Sequence, residues 1–142
     1  MTDATQTLQD RLEISDLLVR YATSVDNREF DRLRSCFTGD AVASGFGTDM
    51  PTSNQDEILE FISTALKRFG TTQHLMGNQT IQSIEGDRAL VTTDVQATHF
   101  LANDNSKVLT LWATYHDEMV RENGEWKIRN HRLQPRGTQT TG

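Results

Sequence analysis

LLVRYATSVDNREFDRLRSCF, Leu17 to Phe37, is the stretch whose reading decides the fold of this chain. Together with Leu8, Leu12 and Ile14 upstream, its Leu17, Leu18, Tyr21, Ala22 and Val25 recur at three- and four-residue spacing. That spacing predicts a helix with one broad apolar face. Asp26-Asn27 breaks the pattern, and Phe30, Leu33, Arg34 and Phe37 resume it as a second, shorter helix. The first helix therefore delivers Tyr21 near its end and Asp26 at its break. A histidine follows at the head of a strand-like segment, His74-Leu-Met-Gly-Asn78. A phenol, a carboxylate and an imidazole are the parts of a proton-transfer site.

Outward from that stretch, Gly39-Asp40 closes the second helix, Ala41 to Ser44 reads as a short strand and Gly45 to Pro51 as a loop. Asn54, with Glu57 three residues later, is a cap for a third helix over Asp56 to Phe69, ended by Gly70. The period then changes. Ala89, Val91, Thr93, Val95, Ala97 and His99 alternate as a strand, and strands are expected near residues 72–84, 88–101, 107–121 and 126–134. Glu85-Gly-Asp87, Asn103 to Ser106 and Asn123-Gly124 are the turns between them. Helices followed by a meander of long antiparallel strands predict one α+β domain over residues 1–142, with helices on one face of a curved sheet.

Composition narrows the classes of function. The chain has 142 residues, 35% hydrophobic and 24% charged, with a net charge of −6. No apolar run approaches the ~20 residues of a membrane span. Without a Lys/Arg block, neither nucleic acid nor an anionic membrane is an expected partner. The first ten residues lack the basic and apolar regions of a secretory signal, and the one cysteine, Cys36, leaves no internal disulfide. A cytoplasmic location is the expectation. No two histidines have the spacing of a zinc site, and no phosphate- or dinucleotide-binding glycine motif occurs. Neither metal nor cofactor is expected.

The order Ile14-x-x-Leu-Leu-x-x-Tyr21-x-x-x-x-Asp26, then Phe30-Asp-x-Leu33-x-x-x-Phe37, resembles the opening of SnoaL-like proteins of the NTF2-like superfamily. His74-Leu-Met-Gly-Asn78, Gly86-Asp-x-Ala89, Tyr115-x-Asp117 and Gly124-x-Trp126-x-Ile128 resemble its later blocks in the same order, so the resemblance covers about Leu8 to Leu133. It implies a cone in which a bent, mostly antiparallel sheet wraps the N-terminal helices around an apolar pocket. It also implies assembly through the outer face of the sheet, as a dimer or trimer. The apolar residues on both faces of the third long strand (Leu109, Leu111 and Ala113 against Val108, Trp112 and Val120) agree with that. The branch that looks nearest holds scytalone dehydratase, bile-acid dehydratases and hexachlorocyclohexane dehydrochlorinase. By position, His74 resembles the base, Asp26 its orienting carboxylate, and Tyr21 the phenol that polarises a substrate oxygen.

Each of these residues also has a structural reading. Asp26 with Glu29 is itself a capping box, Tyr21 on an apolar helix face is ordinarily core, and a lone strand histidine is often structural. Phe46, His99, Trp112 and Tyr115 are candidates for the pocket wall. Trp112 and Tyr115, three apart on one strand, face opposite sides of it. His131 lies in the last strand without an assigned role. Three functions stay open: a cofactor-free lyase of dehydratase type acting on a small cyclic, carbonyl-bearing substrate; a polyketide cyclase or ketosteroid-isomerase-like isomerase; and a non-catalytic small-molecule binder or assembly protein.

Overall fold

The computed structural model describes residues 3–47 and 52–142; of the loop expected over Gly45 to Pro51, positions 48–51 lie outside the described residues. Helix α1 (Asp3–Asp26) buries Ile14, Leu17, Leu18, Tyr21, Ala22 and Val25, the face its periodicity marks out. It is followed by α2 (Phe30–Arg34), β1 (Phe37–Ser44), α3 (Gln55–Leu66), β2 (Phe69–Glu85), β3 (Arg88–Leu101), β4 (Asp104–Glu122) and β5 (Glu125–Thr141). The architecture is α+β, as expected.

Four boundaries differ from the pattern. The second helix stops at Arg34 and Phe37 opens β1, because the Cys36 carbonyl accepts from Ile128 N–H at 2.7 Å and Phe37 pairs with Ile128. Sheet pairing thus takes residues whose apolar spacing reads as helix. The third helix ends at Leu66, not Phe69, since Phe69 already pairs with Leu101 across β2 and β3. The β3–β4 connection is only Ala102-Asn103, and β5 runs on to Thr141. The expected cap at Asn54 is present: its side chain accepts from Glu57 N–H at 2.9 Å.

The five strands lie in the order β1-β5-β4-β3-β2. β1 is parallel to β5, and the other neighbours are antiparallel. Two-residue turns join β2 to β3 and β4 to β5, where Glu85 pairs with Arg88 and Glu122 with Glu125. Asn123 (φ 51°) and Gly124 (φ 80°) supply the left-handed backbone of the second. Helix α1 lies against β2 and β5, and α3 against β1 and β2. The core between helices and sheet gathers Ile14, Leu17, Leu33, Val91, Met119 and Ile128. Residues of the sheet's inner face therefore meet the last two turns of α1, which carry Tyr21 and Asp26.

Candidate active site

Helix α1 ends at Asp26 through two capping hydrogen bonds: Glu29 N–H donates to the Ser24 carbonyl at 2.9 Å and Arg28 N–H to the Val25 carbonyl at 3.2 Å. This is the Schellman pattern, with Arg28 at φ 57° in the left-handed position that glycine usually fills. The Arg28 side chain holds the turn. It donates to the carbonyls of Val25 (3.0 Å), Asp26 (3.2 Å) and Gly70 (2.6 Å), and to Thr72 Oγ1 (2.8 Å). The capping-box reading of Asp26 is not what forms: the N-cap of α2 is Glu29, and Asp26 turns its carboxylate to β2.

Thr72 and His74, two apart on β2, point to the same face. Thr72 Oγ1 donates to Asp26 Oδ1 at 3.1 Å, and His74 N–H to Oδ2 at 2.8 Å. His74 Nδ1 lies 2.7 Å from Oδ1. A carboxylate can only accept there, so Nδ1 carries the proton and Nε2 is the basic nitrogen. Burial pushes the Asp26 carboxyl up, but hydrogen bonds from the His74 ring and backbone, the charge of His74 and the Thr72 hydroxyl outweigh it. The net direction is down. An anion at a helix C-terminus is disfavoured by the dipole, and these donors offset that.

His74 stands on the wall of a cavity of about 110 Å³. Val25, Phe46, Phe61, Phe69, Leu111 and Leu133 make it apolar, and Tyr21, His99 and Tyr115 are its other polar side chains. Phe46 reaches it because Gly45 (φ 84°) passes so close to the Leu133 carbonyl that a Cβ would collide with it. His99, opposite Thr72 in the ladder, has Nδ1 3.2 Å from the Leu109 carbonyl, an acceptor only, so its Nε2 is also unprotonated. Its ring packs on Phe69 and edge-on to His74, with centroids 4.6 and 5.7 Å apart. Burial, with His74 adding to it, holds the His99 imidazole below its ordinary range. A larger depression, about 420 Å³, lies on the other side of the sheet between Arg88, Glu118 and Arg132. Its walls mix Leu90 and Val91 with charged side chains, and its histidine, His116, has Nε2 2.8 Å from Gln134 Oε1 with no carboxylate hydrogen-bonded to the ring among the described residues.

At Tyr21 the cavity wall has a second polar group behind it. The Tyr21 hydroxyl is 3.1 Å from His131 Nε2, and His131 Nδ1 is 2.5 Å from Asp117 Oδ1. The side chains of His131 and Asp117 are fully buried, and the other Asp117 oxygen has no hydrogen-bond partner among the described residues. The rings of Tyr21, Tyr115 and His131 pack against one another at 4.5–5.7 Å between centroids. Burial pushes the Tyr21 phenol well above its usual value, with the neighbouring Tyr115 and Asp117 adding to the shift.

The structure thus brings His74, Asp26, Tyr21, Phe46, His99 and Tyr115 to one cavity and its wall. Trp112 is the exception. It is 38% exposed on the outer face, where the odd–even alternation along β4 places it opposite to Tyr115, so it is not a wall residue. Arg28, Thr72, Asp117 and His131 were not picked out from sequence as site residues. Among the described residues no three of His, Cys, Asp and Glu converge where a metal ion would sit, and no helix is long and apolar enough to cross a membrane.

Residues 6–132 match the model of the SnoaL-like domain family. The chain is 31% identical over 121 residues, 85% of its length, to the uncharacterized protein Rv2910c of Mycobacterium tuberculosis, covering 82% of that protein. Among solved structures it is similar to a Novosphingobium aromaticivorans protein named as a candidate scytalone dehydratase, with a TM-score of 0.88 at 20% identity, over 96% of this chain and 90% of that one. It is similar also to the type 3 hexachlorocyclohexane dehydrochlorinase LinA of Novosphingobium barchaimii, with a TM-score of 0.87 at 20% identity, over 99% and 95% of the two chains. At such identities the structural likeness speaks for the fold, and the family match covers most of the chain: this protein is a member of the SnoaL-like domain family, with the α+β fold of the NTF2-like superfamily.

Proposed function

We propose that this protein is a cofactor-independent lyase that eliminates water or another leaving group from a small cyclic, carbonyl-bearing substrate. The observation that carries the reading is the His74–Asp26 pair, 2.7 Å apart on the wall of an apolar cavity. His74 Nε2 takes the proton next to the carbonyl, and Asp26 fixes the tautomer and stabilises the imidazolium as it forms. Tyr21 hydrogen-bonds to the departing oxygen, on which negative charge develops as its bond to carbon breaks. Phe46 and Tyr115 enclose the ring, and His99, neutral with a free Nε2, accepts from a substrate hydroxyl. A cavity of about 110 Å³ accommodates roughly one ring. Both structural relatives carry names of eliminating enzymes, and that supports the reading.

Isomerisation or ring closure starts with the same proton abstraction, so the product decides between them. Cyclic β-hydroxy ketones incubated with the protein and followed by enone absorbance test the elimination directly. 5-Nitrobenzisoxazole, which opens to a coloured phenoxide when its C–H is deprotonated, tests the base alone. His74→Ala is expected to abolish turnover of either, and Asp26→Asn to lower it by about 10²–10⁴-fold, on the scale of losing an oriented acid–base group. Equal rates for His74→Ala and wild type on both probes would leave only a binding role. With this reading goes a soluble homo-oligomer, dimer or trimer, working in the cytoplasm, built on the outer face where Leu75 and Trp112 are exposed. Sedimentation as a monomer at micromolar concentration would exclude the assembly.

A further inference from the structure

The geometry points to Asp117 and His131 as positioning residues that make Tyr21 the acid of the reaction, through a buried carboxylate–imidazolium–phenol relay that ends on the cavity His74 also lines. The proposal rests on the lyase reading above for its catalytic role, but not for the state of the relay itself.

Two structural features lead to it. The first is connectivity. Asp117 and His131 are direct cross-strand partners on β4 and β5, their side chains meet at 2.5 Å, and His131 Nε2 meets the Tyr21 hydroxyl at 3.1 Å. The order carboxylate, imidazole, hydroxyl is that of a hydrolytic triad, here ending on a phenol in the cavity wall. The second is burial. The Asp117 carboxylate has no exposed surface and, among the described residues, one hydrogen-bond partner, with its other oxygen unpaired. A lone buried anion is costly, and a proton on both nitrogens of His131 neutralises it in place. The titratable groups that face His131 are Tyr21 from α1 and Tyr115 and Asp117 from β4; Phe37 of β1 and the following Phe46 present uncharged rings.

A doubly protonated His131 donates Nε2–H to Tyr21 Oη, which turns the phenol proton away from His131, towards the Tyr115 hydroxyl that it meets in the free protein and towards substrate when one is bound. In dehydration His74 takes the α-proton, the carbon–carbon double bond forms and the carbon–oxygen bond breaks. The Tyr21 proton passes to the departing hydroxyl, which leaves as water, and the His131 proton replaces it on Tyr21. Asp117 stays a carboxylate throughout. One proton has moved from carbon to His74 and one from His131 to the leaving group, and return of a proton from His74 to His131 through solvent completes the cycle.

Nitrogen-15 NMR of the imidazoles tests the relay without any turnover. Two protonated ring nitrogens on His131 at neutral pH are expected; a neutral His131 would overturn the proposal. The kinetic arm uses 5-nitrobenzisoxazole. Tyr21→Phe and Asp117→Asn should each lower kcat by about 10-fold or more with KM little changed, the order of one transition-state hydrogen bond. The double variant should be no slower than Tyr21→Phe, because both remove one relay. A merely structural Asp117 would give additive losses and a changed KM, and would overturn it. If Asp117→Asn does not fold, Tyr21→Phe alone decides: an unchanged kcat excludes Tyr21 as the acid. Activity surviving in His74→Ala would instead sink the lyase reading, leaving the NMR result to stand or fall separately.

Discussion

Asp117 and His131 face each other because Arg129 is left out of the β4–β5 ladder. Up to Met119–Ile128 the hairpin pairs in simple register from the Asn123-Gly124 turn, and beyond it Glu118 pairs with Asn130 and Asp117 with His131. One extra residue in β5 is a bulge, and it moves the side chains that follow, as far as the second register shift at Arg136, to the opposite face. Without it His131 would oppose His116 on the outer side of the sheet.

His131→Ala would strand the Asp117 carboxylate in the core. Removal of one partner from a buried ion pair typically costs about 3–5 kcal/mol. Urea unfolding at neutral pH should show a loss of that order. A loss under about 1 kcal/mol, the range of an exposed pair, would mean that Asp117 finds water or another partner.

The bulge also explains what sequence could convey. The apolar face of α1, the Asn54 cap and the alternation in β3 are local signals, and the structure gathers Tyr21, His74 and His99 on one cavity with Asp26 bonded to His74. Tyr115 and Asp117 sharing a face was equally readable from a period of two. His131 was not, because its facing depends on one unpaired residue that no local pattern announces. Trp112 failed for a related reason: spacing shows that Trp112 and Tyr115 differ in face, but not which of the two faces the helices cover. Arg28 was hidden because its work is done by a left-handed backbone that sequence assigns to glycine.

Arg28 offers a clean separation of strain from side-chain bonding. Arg28→Ala keeps the left-handed backbone and loses the bonds to Val25, Asp26, Gly70 and Thr72. Arg28→Gly loses the same bonds but removes the steric cost, about 1–2 kcal/mol for a residue with a Cβ. Both variants should be less stable than wild type in the cavity-side turn, yet the glycine variant should unfold at higher urea than the alanine variant. The reverse order would show that the turn relaxes away from left-handed geometry.

The pH dependence of Asp26 has a definite sign. Its carboxyl lies lower in the folded chain than in the unfolded one, where it titrates near ~3.9. The folded state then binds fewer protons in that window, so its contribution is complete above ~3.9 and is lost as pH falls through the folded value. Asp26→Asn should accordingly be less stable than wild type at neutral pH, and the gap should close in acid. A gap that stays constant from pH 7 to pH 3 would show that Asp26 gains nothing from His74 and Thr72.

His99 acts in the opposite pH range. Burial lowers its imidazole in the folded chain, while an unfolded histidine titrates near ~6.5. Below that pH the unfolded chain binds a proton that the folded chain resists, so folding stability falls as pH drops from ~6.5 through the folded value. His99→Phe removes this dependence and, with Phe69 beside it, fills the site with a ring of similar size. The variant should therefore lose less stability than wild type between pH 7 and pH 5, measured by urea unfolding at each pH. His74→Ala is the control, because a charged His74 is among the groups that hold His99 neutral. Its removal should shift the fall in stability due to His99 to higher pH. A wild-type curve flat across this interval would mean that His99 takes up its proton in the folded protein as readily as in the unfolded one, and the cavity would then lack the neutral acceptor assigned to it.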